Sequence, residues 1–419
     1  MRSITFKLSL VLIFVMPWEG ILRFPGLGTG AKLLGIIVAA FWLATVVTTG
    51  HLRKPRPFHL IIFLFVLWNA ASFFWSAGAI RTLNHLATWI QLLGLIFILW
   101  DLYTTETALI AGLQAYILGA YVAVGSAIYN FFRGNAFYTH FQRFSPDNTN
   151  PDGFGFILVL GMPLAWYLAT TPSISSKSRF WTYVNYAYIP MAFWGIALSG
   201  TRTALIASII ATLYGLIAIS RVRPWIQAAL ILVLISTAIY SLPHLQTLKS
   251  FQRLGTTGTE LTEGTLNDRT IIWREGLASF VEHPLLGVGS NMYRSVNKFA
   301  KDNTGKVGHN TYLSVLVELG LIGFLLFGLI LLIAFVQAWR LPKWESLFWL
   351  TVFAVWSIGA FTLTWETRKS TWLFLSFIIV SAALNKYRDR QINTAAVSAS
   401  PLNQANLMQK EILSVNPGD

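Results

Sequence analysis

Arg143, Arg202, Arg269, Arg274 and His309 stand at or near the edges of apolar stretches in a chain that carries few charges elsewhere. A charged side chain at the centre of a membrane helix costs about 2.5–3.5 kcal/mol on insertion scales, so such residues at helix edges have no packing reason to gather unless they meet something anionic. The planar fork of an arginine grips carboxylate or diphosphate oxygens in a bidentate way that lysine cannot match. Histidine supplies the proton acceptor or donor that works near neutral pH. Glu318 follows His309 about two and a half helical turns on, where a membrane carboxylate needs a partner, and an arginine from the same side is the expected one.

Each residue sits in a recognisable local pattern. Arg143 precedes Ser145-Pro146-Asp147-Asn148-Thr149-Asn150-Pro151-Asp152-Gly153, a turn-rich run that starts a helix, whose free amides beside Arg143 suit a phosphate or a sugar hydroxyl. Arg202 lies in Ser199-Gly200-Thr201-Arg202-Thr203, a tight turn between two apolar stretches. Arg269 and Arg274 fall in Asp268–Phe280, whose spacing of Ile272, Leu277 and Phe280 predicts an amphipathic helix with Arg269 near Trp273. The following His283-Pro284-Leu285-Leu286-Gly287-Val288-Gly289 breaks that helix, and its lone Gly-x-Gly is no nucleotide loop. Structural readings stand beside the chemical ones: a snorkelling Arg143 at a capped turn, Arg202 as an interfacial anchor, His309 as a helix cap.

The elements that hold these residues must be membrane helices. Hydrophobic residues make up 55% of 419 positions and charged residues 11%, a balance no soluble domain has. Cysteine is absent, which removes disulfides and thiolate metal sites. Apolar stretches predict about twelve spans, near 4–22, 31–49, 58–75, 83–101, 107–131, 153–170, 181–198, 203–219, 224–241, 311–337, 345–364 and 370–384. The first of these, though preceded by Arg2, lacks a small-residue cleavage pattern and is read as a retained span. The expected fold is an all-α polytopic bundle over 1–384 with one large loop at 242–310, and a tail, 385–419, with little hydrophobic periodicity, disordered or weakly helical.

Net charge of +14 would suggest nucleic acid in a soluble protein, but here the positive-inside rule absorbs it. Short basic connections at Arg53-Lys54, Lys177 and Arg179, Arg221 and Arg223, and Arg340 and Lys343 share one side with both termini, so that side is expected to be cytoplasmic and the large loop to face outward. Outside the membrane, nucleotide sugars are scarce. A transferase there needs a donor already activated and membrane-anchored, such as a polyprenyl-diphosphate sugar, and clustered arginines neutralise that leaving group as the glycosidic bond breaks. Metal-ligand spacings, a Walker loop, a Gly-x-Ser-x-Gly elbow and an Asp-x-Asp pair are all missing from the sequence. A lipid or polysaccharide transporter is the alternative from another class, though a translocation path should place charges at mid-membrane on several helices.

At these residues the chain resembles the superfamily of bacterial O-antigen ligases and polymerases. The likeness rests on Ser199-Gly200-Thr201-Arg202, on Arg269-x-x-x-Trp273 followed by His283–Gly289, and on His309-Asn310-Thr311-Tyr312 leading to Glu318-Leu319-Gly320-Leu321-Ile322-Gly323. It implies a GT-C-like bundle in the bacterial inner membrane, with a periplasmic site and no cofactor or metal. It further implies inverting transfer of a glycan from undecaprenyl diphosphate, with lipid A-core or another glycan as acceptor. By the same resemblance Arg202, Arg269 and His309 are the catalytic residues. The arginines would hold the diphosphate; His309 would deprotonate or orient the acceptor hydroxyl or stabilise departing phosphate. Arg143, Arg274 and Glu318 are the expected substrate-binding residues. Within the superfamily the chain leans towards ligase, because the Arg-x10-Gly motifs frequent in polymerases are not matched: Arg143 meets Gly153 one residue short. An O-antigen or exopolysaccharide polymerase remains the alternative.

Overall fold

The computed structural model describes residues 1–26, 28–139, 141–175, 178–255, 268–298 and 305–398. Parts of the expected loop, 256–267 and 299–304, and the tail beyond 398 lie outside the described residues. Helices α1 (Arg2–Val15), α2 (Gly30–Thr49), α3 (Pro57–Ala71), α4 (Ala79–Leu102) and α5 (Glu106–Phe132) lead to α6 (Pro151–Thr170). After the short α7 (Pro172–Ser175) come α8 (Arg179–Ser199), α9 (Arg202–Ile219) and α10 (Pro224–Gln246). The polar stretch holds α11 (Lys249–Gly255) and α12 (Arg269–Glu282), and α13 (Thr311–Trp339), α14 (Lys343–Ala360) and α15 (Lys369–Ser398) complete the described chain. A small hairpin pairs β1 (Arg23–Phe24) antiparallel with β2 (Gly28–Thr29), Arg23 opposite Thr29.

A helix covers each expected apolar stretch, and seven of the described helices are long and apolar enough to cross a membrane: α2, α3 extended by the turn to Phe74, α4, α5, α6, α9 and α13. The protein is therefore an all-α polytopic membrane protein. Burial ranks these helices: 83% of the apolar window of α6 is enclosed, against 22% for α2, so α6 is the axis and α2 faces lipid. Around α6 pack α5, α8, α9 and α14, while α13 leans on α3, α14 and α15. Several boundaries shift from expectation. α10 continues to Gln246, into what was expected to be loop, and α15 continues past the bundle to Ser398 where a weak helix or disorder was expected.

Sequence punctuation explains the helix ends near the site. Asn150 caps α6 by accepting from the Asp152 amide, with Pro151 fixing the first turn, and Asn310 caps α13 by accepting from Leu313 N–H at 3.1 Å. α8 ends on Gly200 in the left-handed region, and a side chain there would press on the Ser250 carbonyl at 2.8 Å.

The described parts of the polar stretch pack against the bundle. A small second core, Ile272, Val288, Met292, Tyr293, Leu313 and Val317, packs α12 onto the first turns of α13. The expected apolar face of α12 needs correction: Ile272 is fully buried and Phe280 partly so, but Leu277 is 48% exposed, because the buried positions run through Ile272, Gly276 and Ser279 at helical spacing. α13 itself is interrupted at Gly320, whose φ of 65° and ψ of −169° leave the helix. Into the gap fits the segment after α12: Val288 N–H donates to Val317 O at 3.0 Å and Gly289 N–H to Glu318 O at 2.9 Å. In return Leu321 N–H donates to Pro284 O at 2.8 Å. The Gly-x-Gly run is thus a backbone stitch that satisfies carbonyls the broken helix leaves open.

Candidate active site

The N-terminus of the axial helix α6 and the α8–α9 turn meet through Arg143. Its Nε donates to Ser199 O at 2.6 Å, and its Nη2 donates to Asp152 Oδ1 at 2.6 Å and to Thr201 Oγ1 at 3.2 Å. Thr201 Oγ1 in turn donates to Pro151 O at 2.9 Å. Arg143 is only 4% exposed. Its fork is spent on the protein, so the expected substrate ligand sits one layer beneath the surface and ties Asp152 to the turn that carries Arg202. Removing one member of such a buried pair typically costs about 3–5 kcal/mol. Arg143→Ala is therefore expected to lower the thermal unfolding temperature and membrane accumulation sharply, and Arg143→Lys, which keeps charge but loses the fork, to restore only part.

Arg202 opens α9, and its Nε donates to Arg253 O at 3.1 Å. Arg253, from α11, donates through Nη1 to Gly200 O and lies over the Phe141 ring. Burial lowers its pKa to about 10, with Arg143 adding to the shift, Asp152 opposing it, and Arg202 and Arg269 contributing further repulsion. Burial likewise lowers the pKa of Arg269, at the start of α12, with Asp152 working against the shift and Arg143 with it. Arg143, Arg253 and Arg269 therefore share one electrostatic neighbourhood around Asp152, to which Arg202 is joined through Arg253. No cation–π contact joins Arg269 to Trp273 among the described residues; Trp273 Nε1 donates instead to Gly308 O at 2.8 Å.

That contact helps to place His309. Its backbone is left-handed at φ 47°, and its N–H donates to Thr364 Oγ1 at 3.0 Å in the α14–α15 connection. Thr311 Oγ1 donates to Leu363 O at 2.7 Å and accepts from Trp365 N–H at 2.9 Å, fastening the same two segments. Burial pushes the imidazole down to about 4, with Arg269 adding to the shift, Asp152 opposing it, and Lys306 and Arg294 contributing further. The ring is neutral at pH 7 and able to accept a proton.

A polar cavity of about 670 Å³ opens between these elements, bounded among others by Asp152, His309, Arg294, Glu318, Glu366 and Lys369. Among the described residues no arginine pairs with Glu318 as expected. Its Oε2 accepts from Asn291 N–H at 2.7 Å and its Oε1 from Tyr293 N–H at 3.1 Å, so it caps the turn that floors the cavity. Glu366 is 7% exposed and its Oε2 has no partner. Burial first, then the Glu318 carboxylate, pushes Glu366 up to about 8, so it holds a proton at neutral pH. Among the described residues no three His, Asp or Glu side chains come together as a metal cluster.

Of the residues singled out in the sequence, the fold brings Arg143, Arg269 and His309 into the neighbourhood of Asp152, Arg202 against Arg253, and Glu318 to the cavity. Arg274 is left out: it is exposed on α12 and does not border the cavity. Arg253, Asp152, Glu366 and Lys369 were not singled out as site residues. Asp152 had a usable signal as the first-turn acid of a capped helix; Arg253 and Glu366 had none short of the tertiary fold.

The model of the family described as O-antigen ligase matches residues 187–328. The exopolysaccharide production protein ExoQ of Rhizobium meliloti (strain 1021) is 26% identical over 302 residues. That similarity covers 66% of this chain and 64% of the relative's length, so the chain spans just under two thirds of it. Residues 187–328, which hold Arg202, Arg269, His309 and Glu318, are similar to the O-antigen ligase family.

Proposed function

We propose that the protein is a membrane glycosyltransferase that moves a glycan from a polyprenyl diphosphate to an acceptor hydroxyl, at a periplasmic site in the bacterial inner membrane. The observation that carries this reading is that Arg253 and Arg269 both act electrostatically on Asp152, with Arg202 hydrogen-bonded to Arg253 and a neutral His309 that feels Arg269 and Asp152. Twelve crossings with the polar stretch outward complete the reading, since the short connections on the opposite side are basic.

In the reaction the acceptor hydroxyl oxygen bonds to the anomeric carbon from the face opposite the diphosphate, and the carbon–oxygen bond to the diphosphate breaks. The leaving group takes the electron pair and the configuration inverts. His309 accepts the hydroxyl proton, and the arginines stabilise the charge that develops on the departing diphosphate. Arg143 positions Asp152 and the 199–202 turn rather than touching substrate, and Glu366 holds a proton at the wall of the cavity.

The ligase reading assigns lipid A-core as acceptor. A second reading, polymerisation onto another lipid-linked glycan, is favoured by the relative, an exopolysaccharide production protein. Purified protein reconstituted with a polyprenyl-diphosphate glycan and offered each acceptor separates the two, and absence of transfer to either overturns both. The pH profile is a further test. Because free His309 titrates near 4, kcat/KM is expected to keep its acid limb at low pH. A bound diphosphate anion favours the imidazolium, so the acid limb of kcat is expected to lie at higher pH than that of kcat/KM. Coincident limbs would assign the titration to another group.

A further inference from the structure

Among the described residues that border the polar cavity, Arg294, Lys306, Arg368 and Lys369 carry positive charge. The two lysines are already spent: Lys306 Nζ pairs with Asp268 Oδ2 at 3.0 Å and Lys369 Nζ with Glu19 Oε2 at 2.6 Å. The two arginines are not. Both are exposed, and among the described residues neither guanidinium makes a hydrogen bond, an ion pair or a ring contact. Carboxyl groups of the same cavity go unused by them. Glu366, two residues before Arg368, leaves its Oε2 without a partner, and Glu318 accepts from the backbone amides of Asn291 and Tyr293. Meanwhile the backbone beneath each arginine is held. Arg368 N–H donates to Trp365 O at 3.0 Å, and its carbonyl accepts from Thr371 N–H at 3.0 Å. Arg294 follows Tyr293, whose amide is fixed on Glu318 Oε1, and precedes Ser295, whose N–H donates to Met292 O at 2.9 Å. Each also acts electrostatically on a residue that borders the cavity, Arg294 on His309 and Arg368 on Glu366.

Arg202, Arg253 and Arg269, to which the transferase reading gives the diphosphate, are not among the residues that border this cavity, whereas His309 is. Arg294 and Arg368 therefore belong to a different part of the substrate. A neutral sugar is bound by hydrogen bonds and leaves both guanidiniums without a counter-charge. A carboxylate or phosphate on the sugar meets them with short, charge-assisted bonds. Resting on the transferase reading above, we propose that Arg294 and Arg368 form a second anion subsite, and that the glycan brought to His309 carries an acidic group, a carboxylate or a phosphate, which this subsite takes. The substrate class is then an acidic glycan. Contacts between exposed charges are individually modest and screened by salt, so the subsite sets a preference among glycans rather than an absolute requirement.

The probes are methyl glucuronide, glucose 6-phosphate and methyl glucoside, titrated into the full-length protein in phosphatidylcholine nanodiscs and followed by ligand-observed NMR. Wild type is expected to bind an acidic sugar about tenfold tighter than the neutral one, equivalent to about 1.4 kcal/mol. Arg294→Gln and Arg368→Gln should each lose about threefold of that preference and the double variant all of it, with binding of methyl glucoside and thermal unfolding unchanged. Raising NaCl from about 0.05 to about 0.5 M should shrink the preference in wild type. A preference for one acidic sugar alone supports the subsite and names the group it takes. Equal binding of the three sugars, binding of none, or a preference that survives in the double variant overturns it. Loss of the preference in nanodiscs containing phosphatidylglycerol assigns the two arginines to lipid headgroups and overturns it as well. Transfer of a lipid-linked glycan by a protein with no acid preference removes the subsite and leaves the transferase reading standing. Acid preference in a protein that transfers neither neutral nor acidic glycans keeps the anion subsite and overturns the transferase reading.

Discussion

His309→Ala is expected to reduce glycan transfer by roughly 10²–10⁴-fold, the range a positioned general base contributes, while the protein inserts and accumulates normally. On the proposed reading the neutral imidazole is the proton acceptor, and it lines the same cavity as Asp152 and Glu318. On the same reading Arg269→Ala and Arg202→Ala each remove one donor to the leaving group, for which losses of roughly 10²–10³-fold are usual. The double variants should fall less than the product of the singles, since groups that act on one transition state are not additive. His309→Gly sharpens the test. The residue holds φ at 47°, where a non-glycine side chain costs roughly 1–2 kcal/mol. The glycine variant should therefore unfold at a higher temperature than His309→Ala and be equally inactive. A His309→Ala protein with wild-type turnover would remove His309 from the chemistry.

Gly320→Ala is expected to be the most damaging single-methyl change in the chain. Its φ is 65°, and an added Cβ collides with the backbone of Leu285 and Leu286, which cannot give way because Pro284, Val288 and Gly289 are hydrogen-bonded into the same break. Strain and overpacking combine here, and a loss beyond about 4 kcal/mol is in the range reserved for such sites. Thermal unfolding in detergent reads this directly, with Gly328→Ala as the control, since that glycine in the same helix looks into open space. Equal stability of the two variants would show that the stitch yields.

Why some of this was legible from residues alone, and some not, follows from the range of each interaction. Apolar length and capping residues act locally, so the positions of α6 and α13 and the placing of Arg202 and His309 at helix starts could be read along the chain. Arg143 was visible as a charge, but its role depends on Ser199 and Thr201, more than fifty positions away. Glu318 was seen to need a partner, yet backbone amides have no sequence signature, and Asn291 and Tyr293 supply them. Glu366 looked like an ordinary connection residue between spans; only the fold buries it beside Glu318. The arginine neighbourhood was partly legible for the same reason: Arg202 and Arg269 stand in distinctive motifs, whereas Arg253 sits in a short helix whose importance comes from reaching Gly200.

The clasp on His309 bears on what the smallest working unit of this protein is. The family match stops at residue 328, but Thr364, which holds the His309 amide, and Leu363 and Trp365, which fasten Thr311, all belong to the connection after α14. A fragment cut to the matched segment would carry every motif residue and still lack the hand that turns the imidazole toward the cavity. The chemistry is written in one half of the chain and aimed by the other, so a chimera that exchanged the last two helices for those of a relative would change where the histidine points without altering a single motif.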